Sequence, residues 1–244
     1  MLCLDAGNSR LKWGLSRDLG WIWIAQGALL YDDANAIETL RRTLADSRPR
    51  QVVACNVAGD QGARAIAAIV AELPCPLDWL VSSSAACGVT NRYEQPRQLG
   101  NDRWAASIGA RALHSGNAIV VMTGTATTID ALDAHGNFLG GLILPGLHLM
   151  HAILADKTAN LPLAQGCYRE LPRNTGDAIA SGALHATLGA IERIARQFDS
   201  PALVLLSGGA AVALAEAGGQ PYRLVDNLVL EGLRRYGRRH SALE

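Results

Sequence analysis

Leu2-Cys3-Leu4-Asp5-Ala6-Gly7-Asn8-Ser9-Arg10-Leu11-Lys12 is a short apolar run that ends on an acid, breaks on Gly-Asn-Ser and then resumes. Apolar stretches this short, bounded by turn residues, read as strands in hairpin succession. The same signal stands again at Met122-Thr123-Gly124-Thr125-Ala126-Thr127, between strand-like runs at 118–122 and 127–132. Outward from the first turn come strands at 2–5, 11–16 and 21–30 and a helix at 34–44 with Ile37, Leu40 and Leu44 on one face. A strand at 52–55, a helix at 62–73, a strand at 78–81, a turn-rich segment at 82–100 and a helix through Trp104, Ile108 and Leu113 follow. The second turn belongs to strands at 118–122, 127–132 and 138–144, then a helical region from Leu147 that Pro162 and Pro172 break and that resumes at 175–197. A strand at 202–206, a helix at 209–217, a strand at 222–225 and a closing helix at 228–236 complete it. Both halves read βββαβαβα. The expected fold is therefore α/β, one unit used twice, with domains at 1–116 and 117–244.

Composition narrows the function classes. The 244 residues are 49% hydrophobic and 18% charged, enough apolar content for two packed cores and too much for disorder. The formal net charge is zero, which removes the usual electrostatic drive towards nucleic acid or acidic lipid. Among the basic residues only Lys12 and Lys157 are lysines, so a lysine inside a motif draws attention. Cys3, Cys55, Cys75, Cys87 and Cys167 include no C-x-x-C pair, and read as small buried hydrophobes in a reducing compartment. Asp5 interrupts any leader-like run, and glycines, Pro145, His148 and His151 interrupt the longest uncharged stretch, 136–155. A cytoplasmic protein, with neither membrane nor nucleic acid as partner, is expected.

The motif inventory excludes several chemistries. No G-x-x-x-x-G-K-[ST], strand-borne G-x-G-x-x-G, G-x-S-x-G or H-E-x-x-H is present. At the first turn, Gly7 permits close backbone approach, and Asn8, Ser9 and nearby N–H groups can donate to phosphate oxygens. Asp5 can hold hydrated Mg²⁺, and Lys12 can place a cation on a phosphate. A plain hairpin turn accounts for Gly-Asn-Ser equally well. The second turn, Gly124-Thr125-Ala126-Thr127-Thr128, favours a ligand, because two such turns can clamp one polyphosphate.

These turns resemble those of the acetate and sugar kinase, Hsp70 and actin superfamily, whose duplicated RNase H-like domains hold a nucleotide in the cleft between them. Within it, the sequence resembles type III pantothenate kinases along nearly its whole length. The family's motifs stand here as Asp5-Ala6-Gly7-Asn8-Ser9, Gly100-Asn101-Asp102-Arg103, Gly124-Thr125-Ala126-Thr127-Thr128-Ile129-Asp130, Gly140-Gly141 with Pro145-Gly146, and Asn174-Thr175 before Ala178-Ile179 and Ser181-Gly182. The resemblance implies ATP- and Mg²⁺-dependent phosphorylation of pantothenate to 4′-phosphopantothenate, the first step of coenzyme A synthesis, by a homodimer. It implies ATP contacts from Asp5, Ala6, Gly7, Asn8, Ser9, Arg10, Leu11, Lys12 and Thr125, with Mg²⁺ at Asp5. It implies pantothenate contacts from Tyr93, Gly100, Asn101, Asp102, Arg103 and Thr175, with Asp102 as catalytic base and residues 160–174 near a subunit interface. Chemistry agrees: phosphoryl transfer needs positioning, charge neutralisation and a carboxylate to accept the hydroxyl proton, and the Arg103 fork suits a carboxylate. The residues alone read more simply as a helix N-cap with an ordinary ion pair, and it is the matching family motif that favours the catalytic reading.

One departure stands out. Family members carry an Asp two residues before the second-turn Gly for an activating monovalent cation, and here that position is Met122. A soft thioether is a poor ligand for K⁺ or NH₄⁺, so no such site is expected there; Met122 reads as core, and a carboxylate from elsewhere, for instance Asp130, or a subunit partner could rebuild one in a different place. The competing readings are another small-molecule kinase of the superfamily, or a non-catalytic nucleotide-binding regulator of the same fold. Intact Asp5, Lys12, Asp102 and Arg103 speak against the regulator. Plain structural readings suffice elsewhere: His148-x-x-His151 lacks a third zinc ligand, Ser207-Gly208-Gly209 is an adenine-side turn or a helix start, Trp13, Trp21 and Trp23 are core or interface, and Arg234, Arg235, Arg238 and Arg239 are the solvated end of the last helix.

Overall fold

The structure, a computed structural model, describes residues 1–17, 22–71, 73–158, 166–219 and 221–241. Contacts divide the chain into two compact units, Met1–Leu113 with Leu228–Glu244, and His114–Asn227. Trp21, the Pro162 break and the side chain of Arg239, on which expectations rested, lie outside the described residues.

The first unit contains β1 (Leu2–Ala6), β2 (Leu11–Ser16), β3 (Trp23–Leu29), α1 (Ala34–Ser47), β4 (Val52–Asn56), α2 (Gly59–Val70), β5 (Leu77–Trp79), a small hairpin of β6 (Ala85–Ala86) and β7 (Val89–Asn91), and α3 (Asn101–Leu113). The large sheet runs β3–β2–β1–β4–β5, with β1 antiparallel to β2 and parallel to β4. Strand alternation decides the layering. Leu2, Leu4, Leu11, Leu15, Val52 and Ala54 pack with Leu40 and Leu44 of α1 and Ile66 and Ile69 of α2. Cys3 and Asp5, one residue out of phase, turn to the other face.

The hairpin at 85–91 departs from the turn-rich loop read in the sequence. Its two-residue turn is Cys87-Gly88, with φ of 51° and 82°. Positive φ at both central positions is the primed turn that matches strand twist, but it lacks the Asn-Gly or Asp-Gly that usually announces it.

The second unit repeats the order with β8 (Ala118–Thr123), β9 (Ala126–Leu132), β10 (Asn137–Pro145), α4 (Leu147–Lys157), α5 (Thr175–Ala195), β11 (Leu203–Gly208), α6 (Ala211–Gly218) and β12 (Arg223–Leu224). The strands run β10–β9–β8–β11–β12, the same sequence of antiparallel and parallel neighbours as in the first unit. Ile119, Val121, Ile129, Val204 and Leu206 form its core with Leu184, Leu188 and Ile191 of α5 and Leu214 of α6. Met122 is out of phase with that core and only partly buried, so it is not the ordinary core residue expected.

The closing helix α7 (Leu228–Ser241) packs with the first unit, whereas the sequence division at 116/117 placed it in the second. Two glycines bring its backbone against α3: a Cβ at Gly232 would fall on the Ala105 carbonyl, and one at Gly109 on the Leu228 carbonyl. The basic end of α7 is not wholly solvated either. Arg234 is only 3% exposed, lies 4.7 Å from the Trp23 ring centroid and pairs with Glu231, which also accepts from Trp23 Nε1 at 2.7 Å. Among the described residues, no helix is long and apolar enough to cross a membrane.

Candidate active site

The first unit gathers most of the residues expected at the site, all but Thr125 and Thr175. Asp5 sits on the central strand, 4% exposed, opposite Lys12 across the antiparallel β1–β2 pair and opposite Cys55 across the parallel β1–β4 pair. The Cys55 thiol donates to Asp5 Oδ1 at 3.5 Å. Burial pushes the Asp5 carboxyl up to about 6; Lys12 pulls it down and the Asp102 charge pushes it up. The thiol of Cys55 is held well above its ordinary range by burial and then by the Asp5 and Asp102 charges. In the hairpin turn, Gly7 N–H donates to the Arg10 carbonyl at 3.1 Å, and Tyr31 O–H donates to the Gly7 carbonyl at 2.6 Å. Tyr31 is pushed up to about 12, by burial first and the Asp5 charge next. Asn8, Ser9 and Arg10 are exposed, while the side chains of Ala6 and Leu11 belong to the core, which leaves only their backbone for a ligand.

The first turn of α3 carries the second group. Gly100 has no Cβ because one would stand 2.7 Å from Asp102 Oδ1. Asn101 fastens this turn: its Oδ1 accepts from Ser82 N–H at 2.9 Å and from Ser82 Oγ at 3.3 Å, and its Nδ2 donates to the Asn56 carbonyl at 3.3 Å. Arg103 is buried, donates from a terminal guanidinium nitrogen to the Tyr93 hydroxyl at 2.9 Å and stands 5.7 Å from the Tyr93 ring centroid. Tyr93 is itself fixed by its N–H on Asn91 Oδ1 at 3.0 Å.

The second unit holds the other turn. Gly124 N–H donates to the Ala126 carbonyl at 3.0 Å, and the Thr125 carbonyl accepts from Gly146 N–H at 2.9 Å, leaving the Thr125 side chain exposed. Thr123 Oγ1 donates to the Ser207 carbonyl at 3.0 Å and accepts from Ala210 N–H at 3.1 Å, so the Ser207-Gly208-Gly209 turn is tied to the end of β8. Gly208 has φ of 101°, and a Cβ there would collide with the Thr123 backbone. Thr175 opens α5 beside the N-cap Asn174 and lines an apolar cavity of about 810 Å³ with Met150, His151, Ile153 and Ile179. His151, whose Nε2 has no partner among the described residues, is held below its ordinary pKa by burial and by His148. Among the described residues, no three His, Cys, Asp or Glu side chains gather as a metal cluster. Residues 159–165, within the stretch expected at a subunit interface, lie outside the described residues.

Sequence reasoning passed over three residues that shape the site: Cys55, read only as a small hydrophobe, and Tyr31 and Ser82. The signal available for Cys55 was its place at the end of the strand that partners β1.

Two solved structures share the fold over almost the whole chain. One is described as a Baf family transcriptional activator from Campylobacter jejuni, 20% identical, covering 99% of this chain and 100% of that one with a TM-score of 0.65. The other is described as a 2-dehydro-3-deoxygalactonokinase from Sinorhizobium meliloti, 17% identical, covering 98% of each with a TM-score of 0.61. The fold is thus the duplicated RNase H-like architecture found among sugar kinases. A profile of the type III pantothenate kinases matches residues 1–197, and the type III pantothenate kinase of Aromatoleum aromaticum is 50% identical over 244 residues, 99% of each chain. The chain belongs to the type III pantothenate kinase family.

A buried acid raised to about 6 has a thermodynamic signature. The native state holds this proton more tightly than the unfolded chain, so its contribution is favourable at low pH and is lost as pH rises from roughly 4 through 6. Asp5→Asn, which cannot ionise, is therefore expected to stabilise the metal-free protein at pH 8 by up to about 3 kcal/mol, a gain that fades below roughly pH 4. Urea unfolding of both proteins in a chelator across this range checks it; an Asn variant less stable at pH 8 contradicts it.

Proposed function

We infer that this chain transfers the γ-phosphoryl group of ATP to the primary hydroxyl of pantothenate, the first committed chemistry of coenzyme A synthesis. The observation that carries the reading is the near-full-length likeness to a named type III pantothenate kinase at 50% identity. The grouping of Asp5, Lys12, Asp102 and Arg103 in one unit supports it, because these are the charges the reaction needs.

The roles are those that the family resemblance implies, and the chemistry of the residues supports them. Asp5 through Lys12 and Thr125 contact ATP, with Ala6 and Leu11 doing so through backbone groups. Asp5 fits Mg²⁺: it is a hard oxygen donor whose charge is costly without a cation, and Mg²⁺ bound to phosphates needs only one or two protein carboxylates. When bound with ATP, the metal neutralises phosphate charge. Lys12, facing Asp5 across the hairpin, adds a second cation. Tyr93 and Arg103 hold pantothenate, the guanidinium fork meeting its carboxylate; Gly100 and Asn101 present backbone, since the Asn101 amide is engaged with Ser82 and Asn56. Thr175 contributes from its cavity. As the pantothenate oxygen bonds to the γ-phosphorus and the bond to the β,γ-bridging oxygen breaks, Asp102 accepts the hydroxyl proton and ADP leaves. The reading places the protein in the cytoplasm, with all five cysteines free thiols.

A homodimer completes the proposal. Leu139, Leu142 and Ile143 on β10 and Leu149, Ile153 and Leu154 on α4 are exposed, and an apolar surface of this kind marks an interface, most often a two-fold one. Light scattering at micromolar concentration should give twice the chain mass, and Ile153→Glu should lower it; a fully active monomer refutes the dimer.

Asp102→Asn should lower kcat by roughly 10²- to 10⁴-fold while ATP still binds, read by ADP release with and without pantothenate. Near-normal kcat removes Asp102 from the role of base. At fixed Mg²⁺-ATP and ionic strength, replacing a bulky organic cation by K⁺ should raise the initial rate by less than about tenfold, because Met122 offers no hard ligand. A larger rise means that a cation site exists elsewhere.

A further inference from the structure

The parallel register of β1 and β4 sets Cys55 beside Asp5, with both side chains buried and the thiol 3.5 Å from Oδ1. Asp5 is surrounded by Lys12 from β2, Asp102 from α3, Tyr31 after β3 and Cys55 from β4. Of these, Tyr31 spends its hydroxyl on the Gly7 carbonyl, and Asp102 repels a second carboxylate. The thiol donates to Oδ1, while Lys12, opposite Asp5 across the β1–β2 pair, acts on the carboxylate as a charge. An S–H is a weak donor in water, but in a dry site a buried carboxylate oxygen without any donor is expensive.

We propose that Cys55 is a positioning residue for phosphoryl transfer: its thiol holds Oδ1 of Asp5, stops the carboxylate from rotating, and leaves the other oxygen for the cation that accompanies ATP. The proposal rests on the reading of Asp5 as the Mg²⁺-holding acid. A side chain of the same size without a donor lets the carboxylate turn, and the loss falls on metal-nucleotide binding rather than on pantothenate.

Cys55→Val, Cys55→Ala and Cys55→Ser, compared with Asp5→Asn, test it. In Val and Ala, the Mg²⁺ concentration for half-maximal rate and the KM for ATP should rise about tenfold, with the KM for pantothenate within about twofold. Ser, which restores a donor, should return both to within about threefold of the parent. Melting temperature is read for each variant, and calorimetric titration of Mg²⁺-ATP gives binding apart from turnover. Parent-like Mg²⁺ and ATP dependence in a folded Val or Ala variant overturns the role of Cys55, as does a Ser variant as impaired as Val. If Asp5→Asn binds Mg²⁺-ATP like the parent, the reading of Asp5 fails and the proposal with it. If Asp5→Asn is impaired and the Val and Ala variants are not, the Cys55 proposal alone fails.

Discussion

A carboxylate on the middle strand of a sheet is the constraint around which the first unit is organised. β1 has a strand on either side, α1 and α2 over its Leu2–Leu4 face, and α7 and the start of α3 near the face that carries Cys3 and Asp5, and Asp5 lies away from water. Every neighbour that the fold supplies to it comes from a different element: Lys12 from the hairpin partner, Cys55 from the parallel partner, Asp102 from the start of α3. A free-energy cost of this kind persists where something outside the chain relieves it, the part proposed above for a nucleotide-bound cation. The Asn101 strut, reaching Ser82 and Asn56, holds the α3 start in place relative to β4 and so fixes the second acid and Arg103.

Duplication supplied two hairpin turns, and the two copies have diverged in charge. Where β1 ends with Asp5 opposite Lys12, β8 ends with Met122 and Thr123, opposite Thr128 and Thr127. The second turn is instead braced by uncharged groups: the Thr125 carbonyl to Gly146 N–H, the Thr123 hydroxyl to Ser207 and Ala210, and Gly208 packed on Thr123. One copy carries an acid facing a lysine, while the other is an uncharged turn with Thr125 exposed.

Strand order was legible because short apolar runs between turn residues have a period and a length that few other structures share, and because the pattern occurred twice. The motif residues were legible for a different reason: Asp5 and Lys12 flank a Gly-Asn-Ser turn suited to phosphate, whereas Asp102 and Arg103 read as an ordinary helix start until the resemblance to a family motif singled them out. What was hidden depended on three-dimensional register. Cys55 becomes interesting only once β4 lies parallel to β1 with Asp5 opposite it. Arg234 looked like a solvated tail residue because the Trp23 ring it stacks on is far away in sequence. The Cys87-Gly88 turn was hidden because a cysteine at positive φ is held by its surroundings and not by its own preference.

The return of α7 to the first unit gives the two units different histories during synthesis. The second unit is drawn from one uninterrupted stretch, His114–Asn227, and has all its strands and helices once that stretch has emerged. The first unit, although translated earlier, waits one helix short, with Gly109 and Ala105 of α3 facing no partner until Gly232 arrives. Of the two units the one translated earlier is thus the later to close, and the acid-bearing sheet stays uncovered by α7 until residues 228–241 have emerged.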